Sequence, residues 1–462
     1  MSARVFAPSS IFVNAVSPVI LEASPGRFSD MLKTVQPLTL TKLLDISPLG
    51  LLKQMGVAQN LTSPWRATAM TAARPISAFN MYAGLFDGWT LSSIAEHPSV
   101  GAIYEDRPMK LLQFPYAPVE GTFSVKVESG PIYFTSTQWT RRLMGADVAN
   151  SKGYSGQGVN AVVVDTGGTR GNPQTIRMVR KTVIPGNHFD VISHGEWCAS
   201  ALGGTLMKDN TFSAETRMPV YCEGMAPQCN LYEVKALDFV IGTAMTSQLL
   251  AGLEAALNLK ADVLSCSWGA SVSTSEPTGD PFYNAMQTLD QSGMLLAVAA
   301  GNSGPQGGTI DTPGALPNVI TVGSYNAVGN PSNAMFGAAG EVSGFSSRGP
   351  AYGTEIKPDT IAPGAIIDSG VSPVSEMALS YTHRPHNASA IAGTSMATPQ
   401  VAGLLACMRQ AHRKLLNKTL TNAEVKTMLA ALGQPKNNDS GWGPLHWAMY
   451  EEWLASQYNV KV

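Results

Sequence analysis

From residue 159 onward, the chain alternates between short apolar runs and longer segments with helical spacing. The five apolar runs are VNAVVV (159–164), NLYEVKAL (230–237), ADVLSCS (261–267), MLLAVAA (294–300) and NVITVG (318–323). Between them, residues 244–260 and 280–291 carry apolar residues at the spacing of an amphipathic helix. Short apolar strands separated by helices predict an α/β fold with a parallel sheet covered on both faces. In such sheets, ligands bind beyond the carboxyl ends of the strands.

The residues that precede this pattern differ in the spacing of their apolar positions and in composition. Alternating apolar positions in ISAFNMYAGLF and VGAIYED predict two strands, and TLSSIAEH between them predicts a helix, so residues 74–112 form a small α+β unit. Residues 113–137, which contain proline, glycine and serine, have the composition of a linker. Residues 1–73 contain leucines at helical spacing broken by prolines, and their role is open. The large α/β domain then occupies residues 138–462.

Charge and hydropathy exclude several classes of protein. The formal net charge is −2 and there is no long run of like charge, which argues against binding to nucleic acid or to an anionic membrane surface. No apolar run reaches the roughly 18 residues that a membrane span requires. The apolar N-terminus is interrupted by Pro8, Asn14, Pro18 and Glu22, so it does not read as a signal peptide. The compartment therefore stays open between the cytoplasm and export by another route.

The five cysteines predict neither a disulfide framework nor a metal motif, because they are scattered and odd in number. Cys222 and Cys229 either pair or are both free, and free thiols are favoured because a chain of this size needs no covalent staple. Cys198 is expected to pack in the core. His188 and His194 lie six residues apart in a loop-like region, and no carboxylates have calcium-loop spacing, so no metal site is predicted.

Four polar residues lie beside glycines where predicted elements begin or end. Asp165 ends the strand VVVDTGG, His194 opens SHGEWCASALGG, Ser395 opens the helix GTSMATPQVAG, and Asn302 follows a strand in AAGNSG. Each has an ordinary structural explanation as a turn, a buried histidine or a helix cap. Together they match the needs of a serine nucleophile: an imidazole to accept its proton, a carboxylate to orient the imidazole and an amide to stabilise an oxyanion.

The blocks around these residues, in the order Asp, His, Ser, resemble those of the subtilisin-like serine proteases. LSCSWG (264–269) resembles the substrate-binding strand of that family and AAGNSG its oxyanion-hole turn, while GMAPQCNLYEVKAL, SSRGP and KPDTIAPG are similar to other family segments. The resemblance implies a subtilisin-like three-layer fold and a serine endopeptidase. Ser395 would be its nucleophile, His194 its general base and acid, Asp165 the orienting carboxylate and Asn302 the oxyanion-hole amide.

The same resemblance implies how a substrate binds. A protein or peptide in extended conformation would pair with Ser267, Trp268 and Gly269, with residues 238–243 at the opposite edge. These three residues would also wall its first specificity pocket, whose depth depends on the surroundings of Trp268 and Gly301. The α+β unit resembles the propeptide of this family, which inhibits the enzyme by laying its C-terminal tail through the active site. Cleavage would then fall between residues 110 and 137. No cofactor is implied, and structural calcium is suggested by the resemblance alone.

Two positions depart from the family pattern. Glu196 follows the His-Gly pair where threonine is common, and Gln400 follows the serine-block proline where histidine is common. Neither removes a catalytic group, but Glu196 adds negative charge near His194. We expect activity to fall as the pH drops through the imidazole pKa, about 6.5 when unperturbed. A flat rate between about pH 5 and 8 would contradict this expectation.

Three other functions compete with a serine protease. An inactive scaffold that acts as a binding or assembly component, anchored by its N-terminal extension, is disfavoured because all four catalytic groups are present. A Glu–Asp–Ser peptidase fits poorly, because such enzymes lack the His194 block and use aspartate where Asn302 stands. A thiol enzyme is disfavoured because no cysteine replaces Ser395.

Overall fold

The computed structural model describes residues 4–6, 16–33, 74–87, 94–95, 97–111, 135–184, 190–210, 220–237, 242–328, 335–373, 375 and 387–462. The strands, in chain order, are β1 Arg4–Phe6, β2 Val16–Ala23, β3 Arg74–Ile76, β4 Met81–Asp87, β5 Val100–Glu105, β6 Pro108–Leu111, β7 Thr135–Ser136, β8 Asn160–Asp165, β9 Val179–Thr182, β10 Met207–Asp209, β11 Val220–Cys222, β12 Asn230–Lys235, β13 Thr243–Met245, β14 Val263–Cys266, β15 Trp268–Ser271, β16 Leu295–Ala299, β17 Asp311–Thr312, β18 Ile320–Tyr325, β19 Thr360–Pro363, β20 Ile367–Gly370 and β21 Ala388–Ile391. The helices are α1 Thr137–Met144, α2 Ala146–Ser151, α3 His194–Gly203, α4 Thr246–Asn258, α5 Tyr283–Gln291, α6 Thr394–Leu416, α7 Asn422–Leu432 and α8 Trp447–Tyr458.

A seven-stranded sheet in the order β19-β18-β16-β14-β8-β12-β9 forms the centre of the protein, and all its pairings are parallel. The five strands predicted from apolar runs are its five inner strands, which confirms the predicted α/β class with a mostly parallel sheet. The two edge strands were not predicted. β9 is short and alternates exposed and half-buried positions, and β19 ends at Pro363, so neither reads as a continuous apolar run.

Helices cover both faces of this sheet, and successive residues of β8 show the division. Ala161 and Val163 belong to the apolar cluster that includes α3 and α6, whereas Val162 and Val164 belong to the cluster that includes α4 and α5. Because side chains alternate along a strand, both faces of the sheet are buried, giving three layers. Residues 161–165 of β8 are buried, and Asp165 at the carboxyl end is the polar side chain among them.

The N-terminal unit is a five-stranded sheet in the order β1-β5-β2-β4-β3. β2 lies in its middle, antiparallel to both β4 and β5, so residues 16–23 belong to the unit that the sequence was expected to begin at residue 74. The predicted boundary between 1–73 and 74–112 therefore does not match the sheet. Pairing between segments some sixty residues apart is set by long-range packing, which a local pattern does not reveal. Residues 34–73, including the leucine-rich stretch, lie outside the described residues.

Hydrogen bonds attach the N-terminal unit to helices α4 and α5. Glu22 of β2 accepts from the Asn284 amide at 2.6 Å, and the backbone N–H of Ala78 donates to Glu254 of α4 at 2.8 Å. At the start of α4, Asp106 accepts hydrogen bonds from the backbone N–H and the hydroxyl of Ser247, at 2.8 and 2.6 Å. A carboxylate at a helix N-terminus also complements the helix dipole. The unit is thus packed on the same face of the large sheet as α4 and α5.

Three smaller sheets complete the fold. β13, β6, β15 and β17 form an antiparallel four-stranded sheet in that order, β21, β20 and β7 form a second sheet, and β10 pairs with β11. The four-stranded sheet takes β6 from the end of the N-terminal unit and its other strands from the large domain. Most of the predicted linker, residues 112–134, lies outside the described part of the chain.

All five cysteines are buried and free, so Cys222 and Cys229 do not form a disulfide. Within the described residues, none of the helices combines the length and the apolar character that crossing a membrane requires.

Candidate active site

Asp165 and His194 meet at the carboxyl end of β8. The Asp165 Oδ1 atom lies 2.7 Å from His194 Nδ1, and both side chains are fully buried. Two glycines make this approach sterically possible. Gly167 has a φ of +113°, and a Cβ on Gly195 would come within 2.5 Å of the Gly167 carbonyl oxygen. The first turn of α3 therefore reaches the end of β8.

Thr166 fixes the orientation of this pair. Its backbone N–H donates to Asp165 Oδ1 at 2.7 Å, and its hydroxyl accepts from the backbone N–H of Gly195 at 3.0 Å. The hydroxyl in turn donates to Asp190 Oδ2 at 2.8 Å. The carboxylate and the start of α3 are thus held by the same residue, which is buried and has no freedom to turn away.

Ser395 lies in the first turn of α6, next to the junction of β14 and β15. Its hydroxyl donates to the carbonyl oxygen of Ser267 at 3.0 Å, and Ser267 Oγ donates to the Ser395 carbonyl oxygen at 3.1 Å. That carbonyl is available because Pro399, four residues later, has no N–H to complete the helical hydrogen bond. The structure therefore places the Ser395 hydroxyl on Ser267 and does not place it on the imidazole of His194.

The imidazole of His194 and the backbone of Ser395 share one neighbour. Cys198 Sγ lies 3.8 Å from His194 Nδ1 and 3.6 Å from the Ser395 carbonyl oxygen. Cys198 is buried in the apolar core, as expected, but it also contacts the candidate site, which the sequence did not predict. Among the described residues, His194 Nε2 is buried and has no hydrogen-bond partner. The three residues Asp165, His194 and Ser395 thus converge on one cluster.

Asn302 is oriented by the residue that precedes Ser395. Its Oδ1 atom accepts from both the backbone N–H and the hydroxyl of Thr394, each at 2.9 Å. The Thr394 hydroxyl also accepts from the backbone N–H of Gly301 at 3.3 Å. Because Oδ1 is bound to Thr394, the amide nitrogen is directed to the other side of the carboxamide. Thr394 is a positioning residue that sequence reasoning missed.

The pKa of His194 reflects two opposing effects. Burial is the largest single influence; it disfavours the imidazolium and lowers the pKa, but the adjacent Asp165 carboxylate and Cys198 together raise it more, so the pKa lies well above the ordinary value of 6.5. The negative charge that holds the ring in place is thus also the charge that makes it more basic.

Three further carboxyl groups lie buried near Asp165. Burial raises the pKa values of Asp190 and Glu196 to about 7, and that of Glu233 well above its ordinary range. Glu196, expected to add charge near His194, accepts a hydrogen bond from Thr175 and lies 3.5 Å from Arg180, which partly neutralises it. Asp190 and Glu233 were not predicted. For Glu233, the signal was a charged residue within an apolar strand pattern.

Gln400, the second departure from the family pattern, has a structural role. Its amide nitrogen donates to the carbonyl oxygens of Pro363 and Met396, both at 2.8 Å. It therefore ties α6 to strand β19 and makes no contact with the candidate site.

The predicted substrate-binding strand is β15, together with Ser267 before it. Gly269 pairs with Lys110 and Trp268 with Leu111 of β6, so residues of the same chain already occupy this edge. The Trp268 side chain is fully buried, and its indole N–H donates to the Val164 carbonyl oxygen at 2.9 Å. The Trp268 side chain belongs to the apolar core and anchors β15 to it.

Asp165, His194 and Cys198 are also the group of potential metal ligands in the described residues whose ligand atoms lie within 4.8 Å of one another. One carboxylate, an imidazole and a thiol do not match the set of six to eight oxygens that calcium takes. These three residues therefore do not fit a calcium ion.

Comparisons with known proteins identify the family to which this chain is similar. The model of the subtilase family matches residues 181–443, a range that includes His194, Asn302 and Ser395 and begins after Asp165. The chain is 32% identical over 318 residues to serine protease AprX of Bacillus subtilis, and 30% identical over 304 residues to subtilisin E of the same species. It is 31% identical over 290 residues to a subtilisin of Bacillus pumilus, of which the alignment covers 86%.

The matches to AprX and subtilisin E each take in 64% of this chain and span 64% and 66% of those two relatives. The family model covers more than half of the 462 residues and includes the blocks around His194 and Ser395. The chain therefore belongs to the subtilase family.

Proposed function

We propose that the chain is a serine endopeptidase that cleaves extended polypeptides through an acyl-enzyme intermediate and is made as a self-inhibited precursor. The observation that carries this proposal is the buried Asp165–His194 hydrogen bond beside Ser395, at the end of a strand edge that already holds a peptide segment. Such an edge binds a substrate through its main chain, and the residues next to it carry out the chemistry.

In the proposed mechanism, the Ser395 hydroxyl turns from the Ser267 carbonyl toward His194 Nε2. His194 Nε2 accepts the proton as Ser395 Oγ bonds to the substrate carbonyl carbon. Asp165 keeps the proton of the ring on Nδ1 and stabilises the imidazolium. His194 then gives its proton to the leaving amine as the C–N bond breaks, and water releases the acyl group by the same steps in reverse.

The oxyanion of the tetrahedral intermediate would be held by the Asn302 amide and the backbone N–H of Ser395. The Asn302 amide is preorganised by its two hydrogen bonds to Thr394. Ser395 lies in the first turn of α6, where backbone N–H groups have no helical partner and the helix dipole favours negative charge. Both donors are therefore fixed before the reaction begins, which is the condition for effective stabilisation.

The experiment that tests this function is incubation of the purified protein with casein, an unstructured protein, followed by mass spectrometry of the products. Internal fragments are expected, because main-chain pairing of an extended segment along a strand edge does not require a free chain terminus. Release of single residues from one end would contradict an endopeptidase. Intact casein would instead favour an inactive scaffold.

Removing the Asn302 amide should slow catalysis without weakening substrate binding. We expect Asn302→Leu to lower kcat by about 10²–10³-fold with little change in KM, because the amide acts on the oxyanion and not on the bound substrate. Steady-state kinetics with a chromogenic peptide measures both. Asn230→Leu, at the opposite end of the sheet, is the control and should leave kcat unchanged. If kcat of Asn302→Leu fell by less than about threefold, Asn302 would not be an oxyanion donor.

The pH profile should report the raised pKa of His194. The imidazole must be neutral to accept the Ser395 proton, so activity is lost as the pH falls through the pKa of His194. Because Asp165 raises that pKa, the midpoint of kcat/KM is expected above the ordinary 6.5. Initial rates across a buffer series measure it. A midpoint below 6.5, or a flat profile, would contradict the proposed general base.

The proposed inhibition rests on β6, which lies between β13 and β15 as a substrate strand would. The backbone N–H of Leu111 donates to the Gly242 carbonyl oxygen at 3.1 Å, and Met109 and Leu111 are buried. Lys110 is opposite both Thr243 and Gly269, so this segment is paired on both edges. Main-chain pairing of this kind would keep other peptides out of the cleft.

The register of β6 predicts the processing site. Leu111 is opposite Trp268, so the next residue would be opposite Ser267, whose carbonyl accepts from the Ser395 hydroxyl. The bond after residue 112 is therefore expected to be cut, which gives Gln113 as the new N-terminus. N-terminal sequencing and intact mass of the purified protein check this. A cut in residues 120–137 would contradict the register argument.

A further inference from the structure

Asp311 is a buried carboxylate that none of the proposed catalytic steps uses. Its side chain is 2% exposed, and its Oδ2 atom has no hydrogen-bond partner among the described residues. A buried carboxylate oxygen without a partner is costly, and such groups are usually paired with a cation or a donor. Asp311 Oδ2 is therefore expected to bind a cation or a hydrogen-bond donor that is not among the described residues.

Asp311 lies against the loop that carries Asn302. Its backbone N–H donates to the Ala300 carbonyl oxygen at 2.8 Å. A Cβ placed on Gly301 would lie 2.7 Å from Asp311 Oδ2, so the carboxylate occupies the space that a side chain at position 301 would fill. Gly301 immediately precedes Asn302, the proposed oxyanion donor. The unpaired oxygen is thus next to the backbone that would hold the cleaved carbonyl.

Strand register places Asp311 on the side of the sheet where alternate substrate residues project. Asp311 is opposite Ser271, and Gly269, two residues earlier on β15, is opposite Lys110 of β6. Side chains two residues apart share a face, so Asp311 and Lys110 share a face, whereas Met109 and Leu111 point to the other. In an extended segment, the residue two positions after Lys110 would again be on the Asp311 face. That residue carries the carbonyl proposed to be cleaved.

We propose that Asp311 is the specificity-determining residue of this cleft, and that it selects substrates with arginine or lysine on the N-terminal side of the cleaved bond. A guanidinium or ammonium group placed there would supply the partner that Oδ2 lacks. The proposal deepens the proposed endopeptidase function and rests on it. Its support is the burial of Asp311, its unpaired oxygen, its place beside Gly301 and its face of the sheet.

The inhibitory segment places cations near Asp311, but none at the selected position. Burial raises the pKa of Asp311 to about 6, and the cations that act against this rise are Lys110 and Arg107, both from the segment that ends in β6. The precursor's own residue at the selected position is Leu112, which offers no charge. A peptide with arginine there should therefore be cleaved faster than a matched leucine peptide.

The test compares two peptides that differ in one residue, arginine or leucine, immediately before the cleaved bond. For the wild-type protein, kcat/KM is expected to be at least roughly 30-fold higher for the arginine peptide, the lower range for pairing a buried charge. Asp311→Asn, which keeps the shape of the side chain, should abolish this ratio while the leucine peptide is still cleaved. The wild-type ratio should also fall as the pH drops through about 6, because protonation removes the Asp311 charge.

Three results would overturn the selection. A wild-type protein that cleaves both peptides equally, or prefers leucine, rules it out even if the variant does not fold. If Asp311→Asn lowered kcat/KM equally for both peptides, Asp311 would have a structural role in the cleft and would not select a charged substrate residue. Cleavage of neither peptide, with no reaction of Ser395 toward a fluorophosphonate, would mean that the endopeptidase function itself fails and the selection with it.

Discussion

Replacing Ser395 by alanine is expected to lower kcat for peptide hydrolysis by roughly 10⁴-fold or more, the loss typical of removing the nucleophile of a serine triad. The fold should be unaffected. Among the described residues, the Ser395 side chain makes one hydrogen bond, to the Ser267 carbonyl oxygen, and the Ser395 carbonyl oxygen keeps the hydrogen bond from Ser267 Oγ. Residual activity would come from the oxyanion donors and from substrate binding alone.

The measurement is steady-state kinetics of the purified variant with a chromogenic peptide, together with thermal unfolding to verify the fold. Ser389→Ala is the matched control, because Ser389 is also buried and its hydroxyl has no partner among the described residues. That variant should retain full activity. Comparable activity in Ser395→Ala and Ser389→Ala would show that Ser395 is not the nucleophile.

Replacing Asp165 by asparagine is expected to lower kcat by about 10⁴-fold. Asp165 Oδ1 accepts from the backbone N–H of Thr166 at 2.7 Å and contacts His194 Nδ1 at 2.7 Å. Asparagine carries no negative charge, and where its NH₂ group takes the Oδ1 position it is a donor toward the ring. His194 would then adopt the tautomer with its proton on Nε2, which cannot accept a proton from Ser395.

This variant also changes the pH dependence, which a structural role would not do. Without the Asp165 charge, the main influence that raises the pKa of His194 is gone, so the midpoint of the residual activity should shift to lower pH. Asp262→Asn is the control, since Asp262 is paired with Arg413 at the opposite end of the sheet. A small loss of kcat with an unchanged midpoint in Asp165→Asn would contradict the orienting role of Asp165.

The inner strands of the large sheet could be predicted from the sequence because strands that are buried on both faces consist almost entirely of apolar residues. β8, β14 and β16 are buried at nearly every position and read as continuous apolar runs. The N-terminal sheet leaves a weaker trace. β2 contains Pro18 and Glu22, and its place between β4 and β5 depends on pairing with strands far along the chain. Local alternation cannot carry that information.

At the candidate site, the sequence pointed to the residues proposed to carry the reactive groups and did not point to the residues that orient them. Asp165 and His194 stand beside glycines at element boundaries, and the close packing at Gly195 explains why glycine is there. Thr394 and Asp311 carry no such signal. Thr394 matters because of where its hydroxyl lies relative to Asn302, and Asp311 because tertiary packing buries it. Both properties arise after the chain has folded.

The central claim, that Ser395 is a nucleophile activated by His194, is tested most directly by reaction with a fluorophosphonate. The purified protein is treated with the reagent, digested and analysed by mass spectrometry, beside a His194→Ala variant. We expect one adduct, on Ser395, that forms readily in the wild-type protein and far more slowly in the variant. No adduct on a folded wild-type protein, or equal labelling of Ser395 in both proteins, would contradict the claim.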